Sequence, residues 1–512
     1  MSTSDTQART QPNVMVVVMD DMGYSDLGCY GGEIETPNVD RLANNGLRFS
    51  QFYNTGRCWP TRSSILTGYY APQVCMDPPR PNYRASWQRL IPHYLGDAGY
   101  RNYHSGKWHL MNTKDPEGEG GFDTSYGYDM EQYSHFFHKE DGQVKFSATD
   151  VADHALDCLK DHQANHADAL LFHYVCFTTP HFPVHAEQAD IDKYMDRYDE
   201  GWDVMRQRRW ERLRDMGIVN CDLSKREPDV PAPHYLAHKE EWDALFGPGE
   251  VEYAVPWDSL DEESKRFQAT KMAIHAGMVD RTDKELGRLL DQLEAMEVLE
   301  DTLVLFLSDN GASAEMMIRG GGHDPEAAPG SEKTHLCLGP GWSTCCNAPF
   351  RRHKIWVHEG GVSTPLVASW PNGIKARGEL RHNMGHVIDI MPTVMEMAGI
   401  NTDTPPLADG APPLPGKSLV PVFEEDESVP REFIYFCHEG NRALRAGNYK
   451  LVNESNVNRG TDDNPWALYD LSTDRCEMVD LSKDMPEKCQ ALLDTWLANE
   501  HEYRANYEEA DA

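Results

Sequence analysis

The chain has 512 residues, enough for one large α/β domain with a smaller companion or for three average domains. Hydrophobic residues make up 40% of it, with 12 Trp and 22 Tyr, which excludes wholesale disorder. Eighty-three acidic against 48 basic residues leave a formal charge of −35, a field that repels nucleic acid and anionic membranes; an anionic substrate would need a local basic pocket.

The opening text "MSTSDTQARTQPNV" has no apolar h-region, and no later stretch approaches ~18 uninterrupted apolar residues. The expectation is a cytoplasmic chain with no membrane partner, or a periplasmic or secreted one if a signal has been removed. Twelve cysteines form no C-x-x-C pair and read as reduced, mostly structural thiols.

After a tail at 1–12, "NVMVVVM" (13–19) is the apolar, β-branched run of a parallel strand buried on both faces. "ALLFHYVCF" (169–177), "TLVLFL" (302–307) and "PLVASW" (365–370) repeat it. The clearest helix, 265–296, places Phe267, Ile274, Met278, Leu286, Leu289 and Leu293 at near-helical spacing. Strands alternating with helices predict an α/β fold, a large mixed but mostly parallel sheet sandwiched by helices, over 13–400. The charged, proline-bearing text at 201–262 reads as an excursion over the surface. Proline-rich 401–418 reads as a linker, and 419–512 as a small antiparallel sheet with one packed helix.

The strands also say where chemistry should lie. The first runs into Asp20-Asp21, the third into Asp309-Asn310-Gly311, and the second is followed by "TTPHFP" with His181. In open α/β sheets, ligands bind beyond the carboxyl ends of the strands. Asp20, Asp21, Asp309 and Asn310 offer only oxygen, which suits a hard cation, Ca²⁺ before Mg²⁺, rather than tetrahedral zinc. In "GRCWPTRSSILTG" (56–68), Cys58 falls near a helix N-terminus, where backbone N–H groups favour an anion. An ordinary cysteine hydrolase, with His109 or His181 as base, stays open at this point.

Cys58-x-Pro60-x-Arg62 followed by "SSILTG" resembles the signature of the type I sulfatases of the alkaline phosphatase superfamily, with a flavour closest to bacterial arylsulfatases. The likeness continues through "GKWHL", "TTPHFP", "FLSDNGAS", "HKIWVHEGG" and "HVIDIMPTVMEMAGI". It implies an alkaline phosphatase-like fold and a Cys58 converted to Cα-formylglycine, whose hydrate is the nucleophile. It implies one Ca²⁺ per chain on Asp20, Asp21, Asp309, Asn310 and residue 58. Arg62 would steady the hydrate, Lys107 and Lys354 would hold the sulfate, and His109, His181 and Lys354 would handle protons. Thr61 stands where many members have serine. The implied activity is hydrolysis of an aryl sulfate or sulfated carbohydrate, after maturation by a formylglycine-generating enzyme. The alternative is a phosphodiesterase or phosphonate monoester hydrolase using the same site. Trp342 in "GPGW" is weighed as a pocket wall or as core, and His335, His353, His358 and His386 as structural or pocket-lining.

Overall fold

The structure, a computed structural model, describes residues 11–128, 147–234, 239–246, 250–317, 322–455 and 465–511, and the backbone of 137–140 and 143–146. The expected N-terminal tail falls, up to residue 10, outside the described residues. In chain order the strands are β1 (Asn13–Met19), β2 (Leu47–Tyr53), β3 (Tyr100–Lys107), β4 (Thr124–Tyr128), β5 (Phe137–Glu140), β6 (Gln143–Phe146), β7 (Leu170–Cys176) and β8 (Thr302–Ser308). They continue as β9 (Ser363–Ser369), β10 (Glu379–Arg381), β11 (Gly385–His386), β12 (Ile434–His438), β13 (Asn441–Ala446), β14 (Tyr449–Asn453) and β15 (Ala467–Asp470).

Nine of the described strands form one sheet in the order β10-β2-β9-β8-β1-β7-β3-β4, with β11 beside β2. β1 shows why its sequence is continuously apolar. Met15, Val17 and Met19 enter the hydrophobic cluster on one face, and Val14, Val16 and Val18 the cluster on the other. The sheet is parallel except at β9, which runs antiparallel to both β2 and β8. "PLVASW" therefore forms the expected buried strand, but not a parallel one. Burial on two faces sets its composition; chain direction comes from the path of the preceding loop.

The long helix spans Glu262–Ala295, opened by Asp261, whose carboxylate accepts from the Ser264 N–H at 2.8 Å. The segment expected as a surface excursion is instead anchored in the core. Its helix Gly201–Asp215 buries Trp202, Met205 and Leu213 against the sheet's helical cover. Arg209 on that helix is fully buried and pairs with Asp26 at 2.7 Å and Glu33 at 2.7 Å. A composition rich in arginine hides an inward face when the arginines themselves are paired inside. Trp342 is also core, packed edge-on to Trp202, with its indole N–H donating to the Gln268 carbonyl at 2.7 Å.

β12, β13, β14 and β15 make the antiparallel C-terminal sheet, and the helix Pro486–Tyr503 packs on it through Trp496 and Tyr503. Buried contacts join this sheet to the segment that leads into β9: Glu359 pairs with Lys450 at 2.9 Å and with Arg475 at 3.0 Å, and its N–H donates to Glu477 at 2.7 Å. The register then fixes the site. Met19 lies opposite Ser308 and Gly106 opposite Cys176, so four adjacent parallel strands, β8, β1, β7 and β3, end side by side.

Candidate active site

Asp20 and Asp21 leave the end of β1, and Asp309 and Asn310 the end of β8. The Asp309 N–H donates to the Met19 carbonyl at 3.1 Å, and the Asp21 N–H to Asp309 Oδ1 at 3.3 Å, so the two pairs face each other. β3 ends on Lys107, whose ammonium lies 2.5 Å from Asp20 Oδ2. After β7, the Thr178–His181 turn brings in His181, whose Nε2 lies 3.2 Å from Lys354 Nζ and 3.7 Å from Asp21 Oδ2.

Cys58 is the first residue of the helix Cys58–Thr67. Proline is tolerated in a first helical turn, as at Pro60, because no intrahelical partner is lost there. Thr61 braces the entry: its hydroxyl accepts from the Thr55 N–H at 3.1 Å and meets the Thr55 hydroxyl at 2.8 Å. Gly68 closes the helix at φ 73°, a left-handed conformation that favours glycine. Arg62, one turn on and fully buried, sends Nε to Asp309 Oδ2 at 2.9 Å, its second nitrogen to the same oxygen at 2.8 Å and Nη1 to the Lys107 carbonyl at 3.0 Å. Lys354 arrives on a loop tied by its own N–H to the Ala312 carbonyl at 3.2 Å and by the Ile355 N–H to the Gly56 carbonyl at 2.8 Å. Its ammonium pairs with Asp21 at 2.8 Å and with Glu315 at 3.0 Å.

All ten expected residues thus meet at one edge of the sheet. Two of them sit in strained backbone, Asp21 at φ 69° and His109 at φ 58°, and near Lys354 so do Arg352 at 66° and Ile355 at 88°. Non-glycine residues are held in that region only where their surroundings over-determine it, as at functional sites.

The electrostatics separate acceptors from donors. Burial first, opposed chiefly by Lys107, raises Asp20; burial, opposed chiefly by Lys354, raises Asp21. Burial pulls Lys107 and Lys354 down, but Asp20 on the first and Asp21 with Glu315 on the second outweigh it, so both stay protonated. His109 is driven well below its usual range by burial and then by Lys107 and Arg62, which leaves it neutral. Burial also raises the Cys58 thiol, with Lys107 and Lys354 opposing, so the sulfur is held protonated. An ordinary cysteine hydrolase needs the opposite shift.

The donor set fits a hard divalent cation. Asp20, Cys58 and Asp309 offer atoms within 4.8 Å of one another. Asp20 Oδ1 and Asn310 Oδ1 are buried without a hydrogen-bond partner, a costly condition that a cation would relieve. A second cluster, Asp26, His275 and Cys346, is closed by the Arg209 ion pair and is an internal charge network.

Sequence reasoning missed Arg57, Glu315, His438 and Asp77. Arg57 Nη2 pairs with Glu315 at 3.0 Å, and His234 Nε2 lies 3.3 Å from the same carboxylate. His438, at the end of β12, pairs with Asp77 at 2.8 Å. Only their neighbourhood carried a signal: Arg57 precedes Cys58, and Glu315 lies six residues beyond Asp309.

The sulfatase family profile matches residues 12–400, the whole of the large sheet. The chain belongs to the sulfatase family. It is accordingly a sulfuric ester hydrolase, built on the mostly parallel sheet expected for that family. The profile described as N-sulphoglucosamine sulphohydrolase, C-terminal, covers residues 351–502 of this sulfatase. Among curated proteins the sulfatase is 29% identical to an uncharacterised sulfatase of Schizosaccharomyces pombe, over 96% of this chain and 94% of that one. It is 28% identical to an arylsulfatase of Klebsiella aerogenes, over 80% and 91%. Among solved structures it superposes on Ps i-CgsB, crystallised with a neocarrahexaose, at a TM-score of 0.65 and 19% identity over 96% and 93% of the two chains.

Proposed function

We propose that this sulfatase hydrolyses a sulfate monoester, an aryl sulfate or a sulfated sugar, to an alcohol and inorganic sulfate, with Cys58 oxidised to Cα-formylglycine and one Ca²⁺ bound. One observation carries the reading: three fixed cations, Arg62, Lys107 and Lys354, converge with an oxygen donor set on one buried position at the sheet edge. A sulfate ester carries one negative charge, and more gathers on oxygen as its S–O bond breaks. Preset cations in a water-poor site stabilise that gain. The similarity to an arylsulfatase supports the ester class, and Cys58-x-Pro60-x-Arg62 supports the modification. Because Cys58 and Arg62 are buried, a formylglycine-generating enzyme must read that motif before the chain folds.

Asp20, Asp21, Asp309, Asn310 and the oxygen at position 58 would hold the Ca²⁺, which when bound adds positive charge beside the sulfate oxygens. The hydrated aldehyde supplies the nucleophilic hydroxyl and a second one through which sulfate is released. Arg62 holds Asp309 and the start of the Cys58 helix in place. Lys107 and Lys354 bind sulfate oxygens. His181, whose Nε2 lies against the Lys354 ammonium, and Lys354 itself deliver a proton to the departing alcohol oxygen. His109, by its place in the motif "GKWHL", takes a proton from the oxygen at position 58.

Two measurements test this. With a matched pair of an aryl sulfate and an aryl phosphodiester, kcat/KM should favour the sulfate by at least about 100-fold. A preference the other way would establish the phosphodiesterase alternative. Ca²⁺ added to chelator-treated protein should raise its melting temperature, by about 2.7 kcal/mol of stability at 100 times Kd, and restore activity. A melting curve indifferent to Ca²⁺ would contradict the assigned ligands.

A further inference from the structure

The turn between β12 and β13 brings His438 and Glu439 of the C-terminal sheet beside Trp59 and Arg57, the two neighbours of Cys58. Trp59, one residue past Cys58 and partly exposed, meets the His109 ring at 5.7 Å and the His438 ring at 5.4 Å between centroids. The Arg57 guanidinium lies 4.9 Å from the centre of the same indole. The indole N–H is buried and has no hydrogen-bond partner. At the outer end of this group stands Glu439, in a left-handed backbone conformation at φ 45°. Its Oε1 lies 3.5 Å from His438 Nε2 and 4.0 Å from Arg57 Nη1.

Both of those cations already have a nearer carboxylate. Arg57 is 3.0 Å from Glu315, and His438 is 2.8 Å from Asp77. Lys354 is shared between Glu315 and Asp21, so three cations, Arg57, His438 and Lys354, face four carboxylates, Asp21, Asp77, Glu315 and Glu439. Of the four, Glu439 is the exposed one, its side chain 34% accessible against 5% for Asp77, 2% for Asp21 and 0% for Glu315.

Resting on the sulfate ester reading of the site, we infer that Glu439 is a specificity-determining residue whose surplus carboxylate admits neutral ring leaving groups against Trp59 and turns away those carrying a second anion. The charges persist at neutral pH. Burial opposes it, but Asp77 and Glu439 lift His438 to about 9. Burial likewise opposes ionisation of Glu439, but His438 and Arg57 hold it down at about 2. A second anion placed beside an ionised, partly desolvated carboxylate meets a like charge at short range, and specificity is commonly enforced by such repulsion.

The test uses 3-carbamoylphenyl sulfate and 3-carboxyphenyl sulfate, alike in shape and different by one charge. Wild-type kcat/KM should favour the carbamoyl ester, and Glu439→Gln should lower that ratio about tenfold, while Glu439→Asp should keep it. Any difference in intrinsic reactivity cancels when the ratio is compared between variants, and unchanged melting curves confirm that the variants fold. An unchanged ratio in Glu439→Gln, with both esters still cleaved, overturns the inference and leaves the sulfatase reading standing. If the wild type cleaves neither ester, the aryl-accepting site is refuted and the inference with it.

Discussion

Cys58→Ala should lower kcat/KM for sulfate ester hydrolysis by at least about 10⁴-fold, because it removes the nucleophile that lies with Asp20 and Asp309 among the cation set. The loss should be chemical rather than structural. The side chain is buried and small, and the turn before the helix is braced by Thr55 and Thr61, which the substitution leaves untouched. Cys58→Ser is the sharper variant. It restores an oxygen at the same point but not the second hydroxyl through which sulfate is released, so at most one alcohol should be freed per chain while the sulfate stays bonded to the serine. Ion chromatography of released sulfate reads the first result, and a burst of one phenol per chain with an O-sulfated peptide reads the second. Peptide mass spectrometry of active wild-type protein should show the 58-containing peptide lighter by the exchange of a thiol for a carbonyl. Full activity with the thiol intact would overturn the account.

How much of this could be read before the fold was known depends on what each residue owes its position to. Asp20, Asp21, Asp309 and Asn310 were legible because each pair directly succeeds an apolar run, and parallel strands aligned as Met19 with Ser308 bring the residues just past their ends together. Cys58 and Arg62 were legible from one local motif on one helix. Lys107 and Lys354 were not distinguishable from surface lysines by pattern; Lys354 sits on a loop placed by backbone bonds to Ala312 and Gly56, which no periodicity announces. Arg57, Glu315 and His438 escaped for a related reason. Their roles come from pairs with residues far away in sequence, and His438 belongs to a different sheet. The helix Gly201–Asp215 was misplaced at the surface because its inward face is carried by Trp202 and a doubly paired Arg209 rather than by an apolar stripe.

Arg62→Ala should destabilise the protein by about 3–5 kcal/mol and abolish activity together, because it strips the counter-charge from a buried carboxylate. Arg62 and Asp309 are both completely buried, and the guanidinium places two nitrogens on Asp309 Oδ2 while a third holds the Lys107 carbonyl. The same substitution therefore frees Asp309 and loosens the end of β3 that presents Lys107. Arg62→Lys keeps one charge but cannot reproduce the fork, and should recover stability more than activity. The deciding measurement is denaturant unfolding with and without Ca²⁺. A divalent cation on Asp309 replaces part of the missing charge, so the cost of Arg62→Ala should be smaller in Ca²⁺ than in chelator. Equal costs under the two conditions would mean that Asp309 does not share its charge between arginine and metal, and that the oxygen set at the strand ends has been assigned to the wrong cation.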